Sequence, residues 1–424
     1  MRTYHIALIA ALIAGGILPD VVRSEDRTLE QRVSELEQRL PPSAADSKSA
    51  TVEAGDNGFL LHSPDNAYQF RLSAYLQADE RTFLGDDQPA ATNTFFLRRV
   101  RPIIQGTVDK YHTFSFVPDF GQGATVLQDA YYENIYIAQA KLRAGKFKTP
   151  FGLERLETDA NTHFVELALP SSLTPNRDVG AQVSGPLANG SVSYAVGVFN
   201  GNPDNTVTDA DTNDSKDVAG RVFFTHQGLG AGLGATYGTE AGSLPTFKTT
   251  GGQTIFSYAT GSAADVERFR ISPQGYYYRG PFGLLAEYIE SGQVIKKGSA
   301  DNRIRHSAWQ TAASVILTGE KNSYADGVAP QHAFDPRNGG WGAWELAARY
   351  SELDFDDDVL TLGLANNASS VSRAQAWAIG INWYLTRHVK YVLNFERTTF
   401  TGGAAGGTDR EPENVLVARI QLFI

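Results

Sequence analysis

Residues Phe95–Val108 read FFLRRVRPIIQGTV, and taken alternately they carry two different faces. Phe96, Val100, Ile104 and Val108 share one parity, while Arg99, Arg101, Gln105 and Thr107 share the other. Successive strand side chains point to opposite sides, so this is one strand with an apolar side and a cationic side. In a water-soluble sandwich the apolar side faces a core and the arginines face bulk water. In an outer-membrane barrel the apolar side faces lipid and the arginines line a water-filled lumen.

The rest of the chain favours the barrel. From Phe59 to Ile424 the sequence is a succession of period-two segments, roughly seventeen in all, separated by Gly, Pro, Asn and Asp. The clearest outward sets are Phe70/Leu72/Ala74/Leu76, Val192/Tyr194/Val196/Val198, Trp309/Thr311/Ala313/Val315/Leu317, Trp344/Leu346/Ala348/Tyr350 and Trp377/Ile379/Ile381/Trp383. Aromatics stand at the ends of several sets, where membrane interfaces favour Trp and Tyr. Short connectors (Asp109-Lys110, Arg279-Gly280-Pro281, Arg387-His388) alternate with long polar ones (Gly201–Asp217, Gly319–Gly340, Asp354–Arg373), as expected of short periplasmic turns and long external loops. The chain stops on a strand: Leu416, Ala418, Ile420, Leu422 and Ile424 share a face opposite Arg419 and Gln421. Gln253–Thr260 is strand-like but also reads as loop, so the count of about seventeen does not by itself fix sixteen strands, and eighteen stays possible.

Composition agrees. The 424-residue chain has a negative mean hydropathy and no clean apolar 20-mer, which argues against spanning helices. Its 41 glycines and 11% aromatics suit tight turns and aromatic girdles. It has no Cys, hence no disulfide framework and no thiol chemistry. The net charge of -10 argues against nucleic acid as a partner, yet allows an anion path, because lumen and loop charges are separate populations.

Met1–Ser24 reads as a secretory signal peptide, with an apolar run at Ile6–Leu18 too short to span as a mature helix; a buried N-terminal helix is the competing reading. Leu29, Val33, Leu36 and Leu40 form a short coiled-coil seam over 25–40, which needs neighbouring copies to hold it. A solvated tail, or an envelope tether, would use the same residues. A flexible linker is expected over 41–58, after Pro41-Pro42.

Inward-phase cations recur at Arg71, Arg99, Arg101, Arg143, Arg221, Arg268, Arg270, Arg349 and Arg419, and Lys141, Arg143, Lys146 and Lys148 cluster before Pro150. Arginine keeps its charge at any relevant pH and presents a fork matched to oxyanions. A file of such groups lets an anion pass from one partner to the next. Pairing with inward Asp129, Glu133, Glu287 and Glu345 would instead make them plain wall solvation. The acidic stretch around Phe355 lacks the spacing and Gly of a calcium loop, the histidines show no metal spacing, and no Gly-x-Ser-x-Gly elbow or other nucleophile–base pair points to an enzyme. No cofactor is expected.

Nine stretches in order carry a resemblance. They are FFLRRVRPIIQGT (Phe95–Thr107), FVPDFGQG (Phe116–Gly123), LQDAYYE (Leu127–Glu133), KLRAGKFKTPFGLERL (Lys141–Leu156), ELALPSSLTPNRDVGAQ (Glu166–Gln182), YAVGVFNG (Tyr194–Gly201), YYYRGPFGLLAEYIES (Tyr276–Ser291), GGWGAWELAARYS (Gly339–Ser351) and NWYLTRHVKYVLNFERT (Asn382–Thr398). From about Phe59 to the C-terminus the chain resembles the phosphate-selective porins O and P. The resemblance implies a 16-stranded barrel over 59–424, assembled as a homotrimer among outer-membrane lipid and lipopolysaccharide. It implies passage of inorganic, phosphate-like anions without chemistry. It also implies that the loop at about 151–178 folds inward, with Arg155 and Arg177 at the constriction; an external lid is the alternative. A general diffusion porin of the same fold remains the alternative function.

Overall fold

The computed structural model describes residues 49–424 except 57, 86–90, 205–208 and 210–212. The expected signal peptide, the 25–40 helix and the first part of the linker lie outside the described residues. Twenty strands follow in order: β1 (Thr51–Gly55), β2 (Gly58–His62), β3 (Gln69–Phe83), β4 (Thr94–Val108), β5 (His112–Asp119), β6 (Val126–Asn134), β7 (Lys141–Lys148), β8 (Arg177–Leu187), β9 (Val192–Phe199), β10 (Asp217–His226), β11 (Leu229–Gly242), β12 (Phe247–Lys248), β13 (Thr254–Phe256), β14 (Ser262–Arg279), β15 (Phe282–Lys297), β16 (Ala300–Ile316), β17 (Ala343–Asp354), β18 (Val371–Tyr384), β19 (Val389–Gly402) and β20 (Glu413–Phe423).

Sixteen of these, β3–β11 and β14–β20, form one closed antiparallel barrel. No described helix is long and apolar enough to cross a membrane. Closure is the pairing of β20 with β3, from Leu422 opposite Leu76 to Val415 opposite Phe83. The last residue finishes that seam, because Ile424 and Ala74 exchange backbone hydrogen bonds of 3.0 and 3.2 Å. Beyond it, β2 takes over the same edge of β3, with Phe59 opposite Leu72, and β1 pairs with β2. The sheet therefore begins at Thr51, inside the stretch expected as linker. The doubtful stretch Gln253–Thr260 contributes only β13, which pairs with β12 in a small hairpin outside the barrel sheet.

Turn chemistry fixes one rim. Asp109-Lys110 and Gln227-Gly228 all have positive φ, between 48° and 86°, the backbone that lets two residues reverse a twisted hairpin. Those turns share a rim with Gly280-Pro281 and with the chain end, which by the outer-membrane pattern is the periplasmic rim. Alternation of strands puts Leu317–Gly342 on that rim too, where Asn322 N donates to Gly280 O at 2.8 Å. The long connector Gly319–Gly340 is thus not external, contrary to the loop-length expectation.

The outward sets named above are largely exposed, as a lipid-facing surface must be. One parity differs from expectation. Opposite β3, Gln77 pairs with Arg99 but Ala78 pairs with Leu97, so Arg98 is an extra residue, a bulge. The bulge flips the phase of the strand. Phe95 and Leu97 face out, Phe96 lies beneath the Arg81 guanidinium at 5.2 Å, and Arg98 joins Arg99 on the inside.

The lumen is not evenly open. Along β15–β19 it is filled by a large apolar cluster that includes Phe151, Leu169 and Leu173 from the segment after β7, Phe247 and Phe256 from the small hairpin, and Ile289, Ile295, Ile304, Leu353, Phe355 and Phe400. Phe355 stacks on Phe256 at 4.1 Å, so the acidic stretch around it is anchored rather than wholly solvated.

Closure also carries a buried ion pair. Arg419 donates to both oxygens of Asp79, each at 2.7 Å, and both side chains are almost fully buried. Removing one partner of such a pair strands the other charge, at about 3–5 kcal/mol. Arg419→Ala is therefore expected to lower the urea midpoint of the detergent-solubilised barrel far more than Arg373→Ala, whose half-exposed pair with Glu352 and Asp354 is worth about 1 kcal/mol or less. Equal midpoints for the two variants would show that the seam does not depend on this pair.

Candidate functional site

The chain between β7 and β8 folds against the inward faces of the barrel. Its ends are hairpin-like, since Lys148 is opposite Arg177 and Thr149 N donates to Asn176 O at 3.1 Å. The body of the segment is then tied across the lumen. Glu287 accepts from Leu153 N at 2.7 Å, and Asn394 from Val165 N at 2.7 Å. Arg349 bridges Glu154 and Glu396, at 3.2 and 2.9 Å. Lys390 donates to Ala160 O and Thr162 O, both at 3.0 Å. Arg98 donates to Glu166 at 2.8 and 3.0 Å.

A second segment meets it from the periplasmic rim. Tyr324, on the Leu317–Gly342 connector, donates to Leu153 O at 2.7 Å and stacks on Tyr276 at 4.6 Å. Asn161 donates to Ala325 O at 2.8 Å.

A cavity of about 870 Å³ stays open on the β3–β10 side. Arg101, Lys141, Arg143, Lys148, Arg177 and Arg221 line it, against the carboxylates of Asp129 and Asp159. Arg143 lies over the Tyr131 ring at 4.2 Å and pairs with Glu133. Arg221 donates to Gln274 at 3.0 Å and covers Phe223 at 4.1 Å. Lys148 donates to the backbone of Glu157, and Arg177 pairs with Asp129 at 3.1 Å. Lys141 has no ion pair among the described residues. Gly145 helps β7 aim these groups. Its φ of +128° suits glycine alone, and a Cβ there would meet Ala130 O at 2.3 Å.

The sequence-chosen cations thus divide. Arg101, Arg143, Arg177 and Arg221 meet in one cavity. Arg177 does so from the first position of β8 rather than from the loop. Arg268 pairs with Glu240 and Asp217, Arg270 with Asp204 and Asp217, and Arg349 and Arg419 with the carboxylates above; all four are buried away from the cavity. Lys146 is buried and pairs with Asp209. Arg155 is turned into its own segment, donating to Thr174 Oγ1 and Ser171 O. Arg71, half-exposed on β3, lies opposite Gln105 and outside the cavity lining. Arg99 and Arg101, two residues apart, converge on one carboxylate, Asp159 Oδ2, with Arg99 Nε at 3.2 Å.

Charges on the inward segment are tuned by their seats. Burial pushes Glu157 up to about 7, with the cations His163, Lys390 and Lys148 offsetting only part of it. Burial also works against the charge on Asp159, but Arg99, Lys148, Arg101 and Arg177 outweigh it and hold that carboxyl well below the usual range. Glu166 follows the same logic: Arg98 outweighs burial and brings it down to about 2. No group of His, Asp and Glu among the described residues is arranged to hold a metal.

Sequence alternation missed Arg98, because one extra residue inverts the parity on which the assignment rests. It also missed Asp159, whose role depends on a long-range fold; a lone Asp at the centre of a long segment between cationic strands was the only signal.

Comparison with known proteins follows this geometry. A family model described as phosphate-selective porin O and P matches residues 70–424. Porin O of Pseudomonas aeruginosa is 24% identical over 381 residues, covering 78% of this chain and 83% of that protein. The outer-membrane channel DcaP of Acinetobacter baumannii superimposes with a TM-score of 0.56 at 9% identity, over 86% of this chain and 99% of DcaP. The trimer form of OmpT, an outer-membrane protein of Vibrio cholerae, does so with a TM-score of 0.54 at 11% identity, over 84% and 100%.

Proposed function

This chain belongs to the phosphate-selective porin O and P family, and on that premise we propose that it is a passive anion-preferring porin, carrying phosphate-like solutes without chemistry. Its place is the outer membrane of a Gram-negative bacterium. The observation that carries the preference is the cavity on the β3–β10 side, with six cationic side chains facing two carboxylates. At several ångströms and an effective dielectric near 20, each unpaired charge offers a passing anion on the order of a few kcal/mol. Conduction needs binding of that kind, favourable but weak and spread over several sites. The net charge of -10 does not oppose this, since the groups lining the cavity, and not the chain total, set the charge a passing solute meets.

The inward segment is the constriction in this reading, and Thr158–Ala160 at its tip borders the open cavity. Assembly as a homotrimer is part of the same reading, supported by family membership. Light scattering in mild detergent is expected to give three times the chain mass.

The deciding measurement is the zero-current potential across a planar bilayer under a KCl gradient. Chloride is expected to outrun potassium, and added phosphate to block the chloride current. A potential of the opposite sign, or none, would overturn the proposal.

A further inference from the structure

We infer that Asp159 is the resident occupant of an oxyanion cradle, and that a permeating carboxylate- or phosphate-type anion exchanges with it. The inference rests on the anion-path reading and names the residue that sets its strength.

The cradle is built from three strands and filled by a separate segment. Arg99 and Arg101 come from β4, and Lys148 and Arg177 from the paired ends of β7 and β8. The carboxylate that Arg99 and Arg101 share belongs to neither wall. It is the only charge in the tip Thr158–Asn161, brought in by the inward segment. Arg101 is also held by Asp119 at 2.7 Å, and Arg99 by Gln77 Oε1 at 2.7 Å, so the guanidinium groups are fixed in place whether or not Asp159 is present. Arg101, Lys148, Arg177 and Asp159 all border the open cavity, so a solute anion reaches this cluster from water.

A guanidinium fork binds carboxylate and phosphate oxygens by the same charge-assisted bonds. A carboxylate tethered at the tip therefore competes with a dissolved oxyanion for the same donors, at a high effective concentration. The consequence is graded occupancy. The cradle attracts anions but releases them, because its own carboxylate returns. Without that carboxylate the same donors would bind a phosphate tightly and hold it.

The test replaces Asp159 and reads block of chloride current by inorganic phosphate. In Asp159→Asn, half-block is expected at about tenfold lower phosphate than in the natural protein, with slower recovery from each block. Asp159→Glu keeps the charge and is expected to block as the natural protein does. A second readout needs no current. Phosphate should raise the thermal unfolding temperature of Asp159→Asn in detergent and leave the natural protein much less affected. Should Asp159→Asn not assemble, the double variant D159N/R99Q removes one charge of each sign, and it too should block at lower phosphate than the natural protein. An assembled Asp159→Asn or D159N/R99Q variant whose phosphate block and thermal response match the natural protein would overturn the inference. Chloride preference in the natural protein would survive that result; its absence would instead defeat the anion-path reading itself.

Discussion

Replacing Pro150–Pro175 by a two-residue Asn-Gly turn is expected to raise single-channel conductance severalfold. The joint is already made: Lys148 is opposite Arg177, and Thr149 is bonded to Asn176, so β7 and β8 can close as an ordinary hairpin. The change widens the path at its narrowest level, and current follows open cross-section. It also removes Phe151, Leu169 and Leu173 from the apolar cluster. At about 1.5–3 kcal/mol for each large buried side chain, the barrel loses on the order of 5–9 kcal/mol. A lower unfolding temperature should therefore accompany the larger current. Unchanged conductance in a folded barrel would mean that the segment does not narrow the path.

Charge substitution in the open cavity is expected to move selectivity in steps. Lys141→Glu with Arg221→Glu leaves four cations facing four carboxylates, and the anion preference should fall close to none. Adding Arg143→Glu leaves three cations facing five carboxylates, and the zero-current potential should change sign. Lys141 and Arg221 are suitable first positions because neither has an ion pair among the described residues. Arg99 and Arg101, the pair that sequence alone singles out, are poor positions for the same test. Glutamates there would be buried beside Asp159 and Asp119, and loss of the fold would mask any effect on selectivity. A triple variant that folds and still prefers chloride would show that these cations do not set the preference.

Period-two alternation made the wall legible. The outward sets at Trp344–Tyr350 and Trp377–Trp383 face lipid as their parity requires, and the terminal strand closes on β3. Alternation is a local property, and strand pairing preserves it. It fails where an insertion breaks the phase, as at Arg98. Loop length was a poorer guide. Leu317–Gly342 is long and polar, yet it belongs to the short-turn rim and reaches back to Leu153. Nor could alternation tell a free lumen cation from a paired one. Arg221 and Arg349 have the same parity and the same chemistry. What separates them is whether Glu154 and Glu396 arrive beside the guanidinium, and Glu154 comes from a segment with no strand pattern at all. The acids that neutralise an arginine in this protein are often far from it in sequence, so the pathway emerges only after the lumen is filled.

That uneven filling divides the circumference into two kinds of wall. From β15 to β19 the strands are backed by packed side chains, and the sheet is one layer of a solid. A truncation such as Ile289→Ala opens a void there, and the expected loss is that of a soluble core, about 2–5 kcal/mol. From β4 to β9 the inner face borders water for much of its length, and a shortened side chain is simply replaced by solvent. Tolerance to substitution therefore depends on compass bearing around the barrel axis as much as on depth in the bilayer. A mutational map of this protein would show a rigid sector and a permissive one, and new solute preferences would arise most readily in the permissive sector.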